Sequence, residues 1–322
     1  MQYLLHKQVV LIGLISLIHC TSPKTEKSIV FEHVPKSFGN VVGLASSDSI
    51  ITIFHRGETI WSYPLPTKTI TSQTIISLDN TNGEVILSFG EGLYSLPHGL
   101  HKDDSGAFWT TDVSRHQVFK LNSSNEILME LGEAYKAGNE SSTFNMPTDI
   151  AVNSKNDILV SDGYGNCRIV VFNDNGEFKF EFGKCGSGNG EFNTPHGLAL
   201  DSNDEIYVAD RENNRVQKFT ANGDHLVTWT NPEGMQLYSV TYHEGYLYAI
   251  DYTFDEITNQ PIGSSIIKLD TNLRFIDRIS ERDGKEGKKH RFHDIEVVDG
   301  NIYVGDIAHN ALVKVSLNIF DN

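Results

Sequence analysis

Beyond about residue 40, apolar side chains either alternate with polar ones or run for four to six positions before Gly, Asn, Asp or Ser interrupts them, and helical spacing is essentially absent. This pattern predicts short antiparallel strands joined by tight turns. The strands recur as a unit: Pro, His or Thr, Gly or Asp, Leu or Ile, then an apolar pair, a polar turn, an apolar strand closing on Asp, and a strand with an aromatic tip. The unit reads PHGLHKDDSGAFWTTDVSRHQVFKL from Pro97, PTDIAVNSKNDILVSDGYGNCRIVVF from Pro147 and PHGLALDSNDEIYVADRENNRVQKF from Pro195. Shorter copies start at Tyr238 and Phe292, and an eroded one, VVGLASSDSIITIFHRG, at Val41. The strand-ending aspartates fall at Asp112, Asp162, Asp210, Asp251 and Asp306, 41 to 55 residues apart. That interval suits a propeller blade and is too long for a β-helix. Six units predict an all-β fold: one six-bladed β-propeller over residues 29–322, its first and last strands completing one blade together.

Repetition turns spacing into geometry. His98, His196 and His293 occupy the same slot in units two, four and six, separated by 98 and then 97 residues, while Thr148 and Ser239 fill it in units three and five. Blades of a six-membered ring sit roughly 60° apart, so alternate blades aim their residues at the axis from roughly 120°. Three imidazoles that leave a fourth position open are the donor set of a catalytic rather than a structural zinc. With no second carboxylate beside these slots, zinc is favoured over iron. His116 lies off the slot and reads as a structural residue of an outer strand.

Charge and the N-terminus bound the setting. With 42 acidic against 26 basic residues and a formal charge of −16, the chain lacks the basic face that nucleic-acid binding requires. His6 and Lys7 precede an apolar run from Val9 to Ile18, too short to span a bilayer, which predicts a signal peptide over residues 1–20. Leu17, Ile18 and His19 before Cys20 resemble a lipoprotein cleavage site, so residues 21–28 read as a spacer and the only expected membrane attachment is a lipid on Cys20. The expectation is an exported monomer, extracellular, periplasmic or anchored at the cell envelope. In such a compartment Cys167 and Cys185 read as a disulfide rather than a metal site.

The stretches IFHRGETIW around Arg56, LPHGL with TTDVSRHQVFKL, PTDIAV with SDGYGN, and TPHGLAL with VADRENNRVQ together resemble the peptidyl-α-hydroxyglycine α-amidating lyase family, the lyase domain of peptidylglycine α-amidating enzymes. The resemblance covers about Val41 to Val315 and implies a six-bladed propeller of the NHL-repeat type. It implies that His98, His196 and His293 bind a catalytic Zn2+, and that Tyr164, Arg56 and Arg211 face the substrate. It further implies a structural Ca2+ on the carbonyls of Leu44 and Leu100 and the carboxylate of Asp294. The implied reaction splits a carbinolamide, made from a small peptide or an acyl-glycine, into an amide and glyoxylate. Tyr164 would act as base, its phenolate favoured by zinc and the two arginines. Two departures stand out. The family's Met-Pro-His-Asp is Arg291-Phe292-His293-Asp294 here, and its disulfide positions carry Asn145, Gly165, Tyr207 and Lys218. The competing reading is a non-catalytic NHL-repeat propeller serving as an extracytoplasmic binding scaffold, which would need no histidine triad.

Overall fold

Each repeat unit folds into four strands because three polar turn clusters divide its apolar runs. In the unit that starts at Pro195, strands Pro195–Leu200, Ile206–Asp210, Arg215–Phe219 and His225–Thr230 pair in chain order as one antiparallel sheet. The first turn is made by Asp201, whose Oδ1 accepts the amides of Asn203 at 2.9 Å and Glu205 at 3.0 Å, with Asp204 at φ 60°. Asp suits such turns because its carboxylate bonds its own backbone two residues on. The computed structural model describes residues 32–33, 38–254, 261–280 and 289–321, and in them six four-stranded sheets form the blades of a propeller. Among the described residues, helix is confined to two 3₁₀ turns, Arg211–Asn213 and Leu317–Phe320. The expected signal peptide with Cys20 and the spacer over residues 21–28 lie outside the described residues.

The core lies between blades rather than on the axis. Every residue of the middle strands Ile158–Asp162 and Ile206–Asp210 is buried, whereas the outer strand Phe178–Phe182 is largely exposed. One interface shows the principle: Ala199, Tyr207, Ala209 and Val216 of the fourth blade pack on Leu237, Val240, Leu247, Ala249 and Ile267 of the fifth. Stacking sheets face to face buries both surfaces of the middle strands, which accounts for their continuous apolar runs. The ring closes as expected: Glu32–His33 pairs with Ala311–Ser316 of the last blade, Glu32 opposite Lys314 and His33 opposite Val313.

The repeat's aspartates brace the blade tops. Asp210 accepts Asn193 N at 2.7 Å and pairs with Arg215 Nε at 2.7 Å; the Arg215 guanidinium also donates to the carbonyls of Ser187, Gly188 and Glu191. Asp251 departs from the expected pattern, because its strand runs on from Tyr246 to Phe254 and does not end there. Arg215→Met is expected to lower unfolding stability by about 3–5 kcal/mol, since it strands a buried carboxylate without its cation; a denaturant midpoint that falls at unchanged slope checks this. Cys167 and Cys185 form a disulfide, Cα–Cα 4.9 Å. The four residues at the family's disulfide positions are in contact without covalent links: Gly165 N donates to Asn145 O at 2.9 Å, and the Lys218 ammonium lies 5.3 Å from the ring centroid of its cross-strand partner Tyr207.

Candidate active site

Irregularities in the inner strands aim the histidines. Around His196 the pairing jumps from Pro195 opposite Asp210 to Gly197 opposite Ala209, and similar shifts occur between Pro97 and Leu100 and between Phe292 and Asp294. An extra residue in one strand of a pair is turned out of the ladder and its side chain re-aimed. The same shift isolates Val42 in the first blade and Tyr238 in the fifth. The slot in the fifth blade is therefore Tyr238, not Ser239 as the sequence spacing suggested.

Odd and even blades then complement each other. His98 Nδ1 donates to Thr148 O at 2.6 Å, His196 Nδ1 to Tyr238 O at 2.7 Å and His293 Nδ1 to Val42 O at 2.9 Å. A carbonyl only accepts, so each Nδ1 carries the proton and each Nε2 presents its lone pair. The glycine after His98 permits one of these contacts, since a Cβ at Gly99 would lie 2.7 Å from Thr148 O. The three rings stand 4.7, 4.7 and 5.0 Å apart between centroids, with ligand atoms all within 4.8 Å of one another. Burial, the largest influence, holds all three imidazoles well below their ordinary pKa; Arg56 adds to this at His98, and at His196 the neighbouring His98 does so. Neutral, tethered, converging imidazoles fit a divalent transition metal.

Tyr164 and the two arginines gather above this triad. A Cβ at Gly163 would fall 2.0 Å from Pro195 O, so glycine is what lets the loop after Asp162 lie against the fourth blade. The Tyr164 hydroxyl consequently sits 3.0 Å from both His98 Nε2 and His196 Nε2. Arg211 Nη1 donates to that hydroxyl at 3.3 Å, while Nε and Nη2 hold Glu212 Oε1 at 3.0 and 2.7 Å. Arg56 is buried, donates Nε to Pro97 O at 3.1 Å and lies 5.6 Å from the Trp61 ring centroid. Burial pushes the Arg56 pKa down to about 10. Burial also pulls at Arg211, but Tyr164, Tyr238 and Glu212 outweigh it and the net shift is upward. For Tyr164 burial raises the phenol pKa, and the opposing pull of Arg211 and Arg56 does not cancel it. Without a metal, the two arginines alone do not make the phenolate that the resemblance implies.

Farther along the inner strands, Leu44, Leu100 and Asp294 line one cavity of about 370 Å³ together with Asp149 and Glu296. Asp294 accepts Leu44 N and Ser239 Oγ, each at 2.6 Å, and Asp149 accepts Leu198 N at 2.7 Å. Desolvation pushes Asp294 and Glu296 up to about 7; it raises Asp149 as well, helped by the charge of Asp294. Clustered, desolvated carboxylates suit a hard cation with oxygen ligands. His116 stays apart from the triad and accepts Met146 N at 2.9 Å. Arg291 lies with its guanidinium 4.9 Å from the Tyr252 ring centroid.

The sequence reading missed three residues of this site. Trp61 packs against Tyr164 with tilted rings 4.9 Å apart, Tyr238 takes Arg211 on its ring at 5.0 Å and gives its carbonyl to His196, and Glu212 holds Arg211. Trp61 closes the IFHRGETIW stretch and Glu212 follows Arg211 directly, so both lay within stretches already singled out.

Residues 139–314 match a family described as 6-bladed beta-propeller. The chain is 35% identical over 306 residues to the peptidylglycine alpha-amidating monooxygenase of Rattus norvegicus, across 87% of this chain but only 30% of that protein's length. It is 36% identical over 242 residues to a probable peptidyl-alpha-hydroxyglycine alpha-amidating lyase of Caenorhabditis elegans, covering 67% of this chain and 68% of that one. Among solved structures, a virginiamycin B lyase from Staphylococcus aureus superposes with a TM-score of 0.56 at 16% identity, covering 89% of this chain and 100% of that one, a likeness of fold alone.

Proposed function

The chain belongs to the peptidyl-α-hydroxyglycine α-amidating lyase family, and on that premise we propose that it is a zinc-dependent lyase. It cleaves R–CO–NH–CH(OH)–COO⁻, from a small peptide or an acyl-glycine, to the amide and glyoxylate. The observation that carries this reading is the shared position of one phenol oxygen, 3.0 Å from two imidazole nitrogens whose opposite nitrogens are tied to carbonyls of the next blade. A binding scaffold has no need of that arrangement.

His98, His196 and His293 would hold the zinc, which when bound would supply Lewis acidity toward the substrate hydroxyl and a positive charge that favours the Tyr164 phenolate. Tyr164 Oη takes the hydroxyl proton. The freed electron pair becomes the aldehyde C=O of glyoxylate, the C–N bond breaks, and the departing amide nitrogen recovers the proton from Tyr164. The arginines divide the remaining work. Arg211, already bonded to Glu212 and Tyr164, stabilises the phenolate. Arg56 uses its Nε on Pro97 and keeps its terminal NH groups for the substrate carboxylate, which a planar guanidinium fits. Calcium on the Asp294 carboxylate and the carbonyls of Leu44 and Leu100 would offset the acid cluster of the channel and stiffen the ring.

Incubation with α-hydroxyhippurate is expected to release glyoxylate and benzamide in equal amounts, and a chelator should stop it until zinc is restored. Absence of glyoxylate from zinc-loaded protein would return the molecule to the scaffold reading.

A further inference from the structure

The blades supply their own controls for one feature of the last. In the third and fourth blades the residue facing the buried strand-end aspartate is an arginine: Asp162 faces Arg168 and Asp210 faces Arg215, with Nε–Oδ2 distances of 3.1 and 2.7 Å. In the fifth blade Arg278 reaches Asp251 Oδ2 at 3.1 Å from the outer strand. In the second blade no guanidinium pairs closely with Asp112 among the described residues; three backbone amides, those of Ser95, Leu96 and Arg115, meet it, and the Arg115 charge acts from farther off. The sixth blade follows neither solution. Asp306 faces Ala311, and only its Oδ1 is taken by amides, Arg291 N at 3.0 Å and Ala308 N at 2.8 Å.

Its Oδ2 is turned to two imidazoles. His309 Nδ1 donates to it, and His290 Nε2 stands 3.8 Å away, beyond hydrogen-bond length. The two rings are 4.9 Å apart between centroids, and one donor atom from each of the three residues lies within 4.8 Å of the others. Asp306 and His290 are buried, and His309 keeps a narrow opening to solvent with 16% of its side chain exposed. Two ligands of one tetrahedral zinc, each at about 2.0–2.2 Å, lie roughly 3.3 Å apart, a spacing these atoms reach with small ring rotations. Two imidazole nitrogens and one carboxylate oxygen suit zinc better than a hard cation such as calcium, and the ion would take the place of the Nδ1 proton that His309 gives to Asp306, releasing it to solvent.

We propose that His290, Asp306 and His309 form a second, structural zinc site, in which the ion replaces the guanidinium brace of the third to fifth blades. Its position gives it a use, because this is the blade closed by the short strand Glu32–His33. The site is separate from the His98, His196 and His293 triad and does not depend on the lyase reading.

Elemental analysis of zinc-loaded, dialysed variants tests it. Wild type should carry about two zinc ions per chain, and the His98→Ala, His196→Ala double variant about one. Adding His309→Ala to that pair should remove the remaining ion. His309→Ala alone should keep glyoxylate release within about twofold of wild type yet melt about 5 °C lower, since a ligand bound only by the folded state stabilises it. Should His309→Ala fold poorly, Ala311→Arg in the same chain restores the guanidinium at the register of Arg168 and Arg215, and should recover melting without zinc. A double variant that holds no zinc overturns the proposal, and so does one whose zinc survives both His290→Ala and His309→Ala. Loss of the triad ion with glyoxylate release intact would instead count against the catalytic role of that ion and leave this site standing.

Discussion

Tyr164→Phe is expected to lower kcat by about 10²–10⁴-fold with KM nearly unchanged, the range typical for removal of a general base. The substitution deletes one oxygen and keeps the ring, so the tilted ring contact with Trp61 at 4.9 Å and the Arg211 contact with the ring at 5.2 Å persist. What disappears is the oxygen 3.0 Å from His98 Nε2 and His196 Nε2, together with its bond from Arg211. Neither imidazole depends on that oxygen for orientation, because each is held through Nδ1, and zinc content should stay at the wild-type level. Steady-state glyoxylate release with parallel zinc analysis separates the roles. Wild-type turnover in Tyr164→Phe with full zinc would mean that the proton leaves to another acceptor.

The second large effect is expected from His98→Ala combined with His196→Ala: the triad ion is lost and glyoxylate release falls by about 10³-fold or more, as the loss of several kcal/mol of charge stabilisation requires. The double change also leaves the carbonyls of Thr148 and Tyr238 without their imidazole donors, so some loss of stability should accompany it. The two effects are separable. His98→Asn, a side chain that can still donate to Thr148 O, should recover stability and not turnover. Were the histidines only braces between blades, the double variant would keep its turnover, and that result would reject the metal reading.

Much of this was legible along the chain because a repeat states its own geometry. The apolar runs, the turn residues and the aspartates located the middle strands of five blades, and the 98- and 97-residue spacings put His98, His196 and His293 in one layer before any contact was known. Such features are local: a strand followed by an Asn or Asp turn folds back on itself whatever surrounds it. The disulfide reading of Cys167 and Cys185 was of the same kind, resting on compartment and count rather than on contacts, and the fold brings the pair together.

What the chain by itself determined was therefore the blades, their number and the three histidines that the even blades offer to the axis. Tertiary structure alone decided how those residues are used. The acceptors that set the histidine tautomers are backbone carbonyls of Val42, Thr148 and Tyr238, and a carbonyl has no identity that a sequence can display. The strand irregularities moved the fifth-blade slot from Ser239 to Tyr238, a one-residue change that reverses which side of the strand faces the axis. Burial raises the Tyr164 pKa while Arg211 and Arg56 pull it down, and packing sets both the depth of burial and the approach of the arginines. Asp251 and Asp306 look alike in the repeat, yet one meets Arg278 from its outer strand and the other meets two histidines. Each of these outcomes depends on the rotation and spacing of one sheet against the next, which arise from the summed packing of whole blade faces and not from any short stretch of residues.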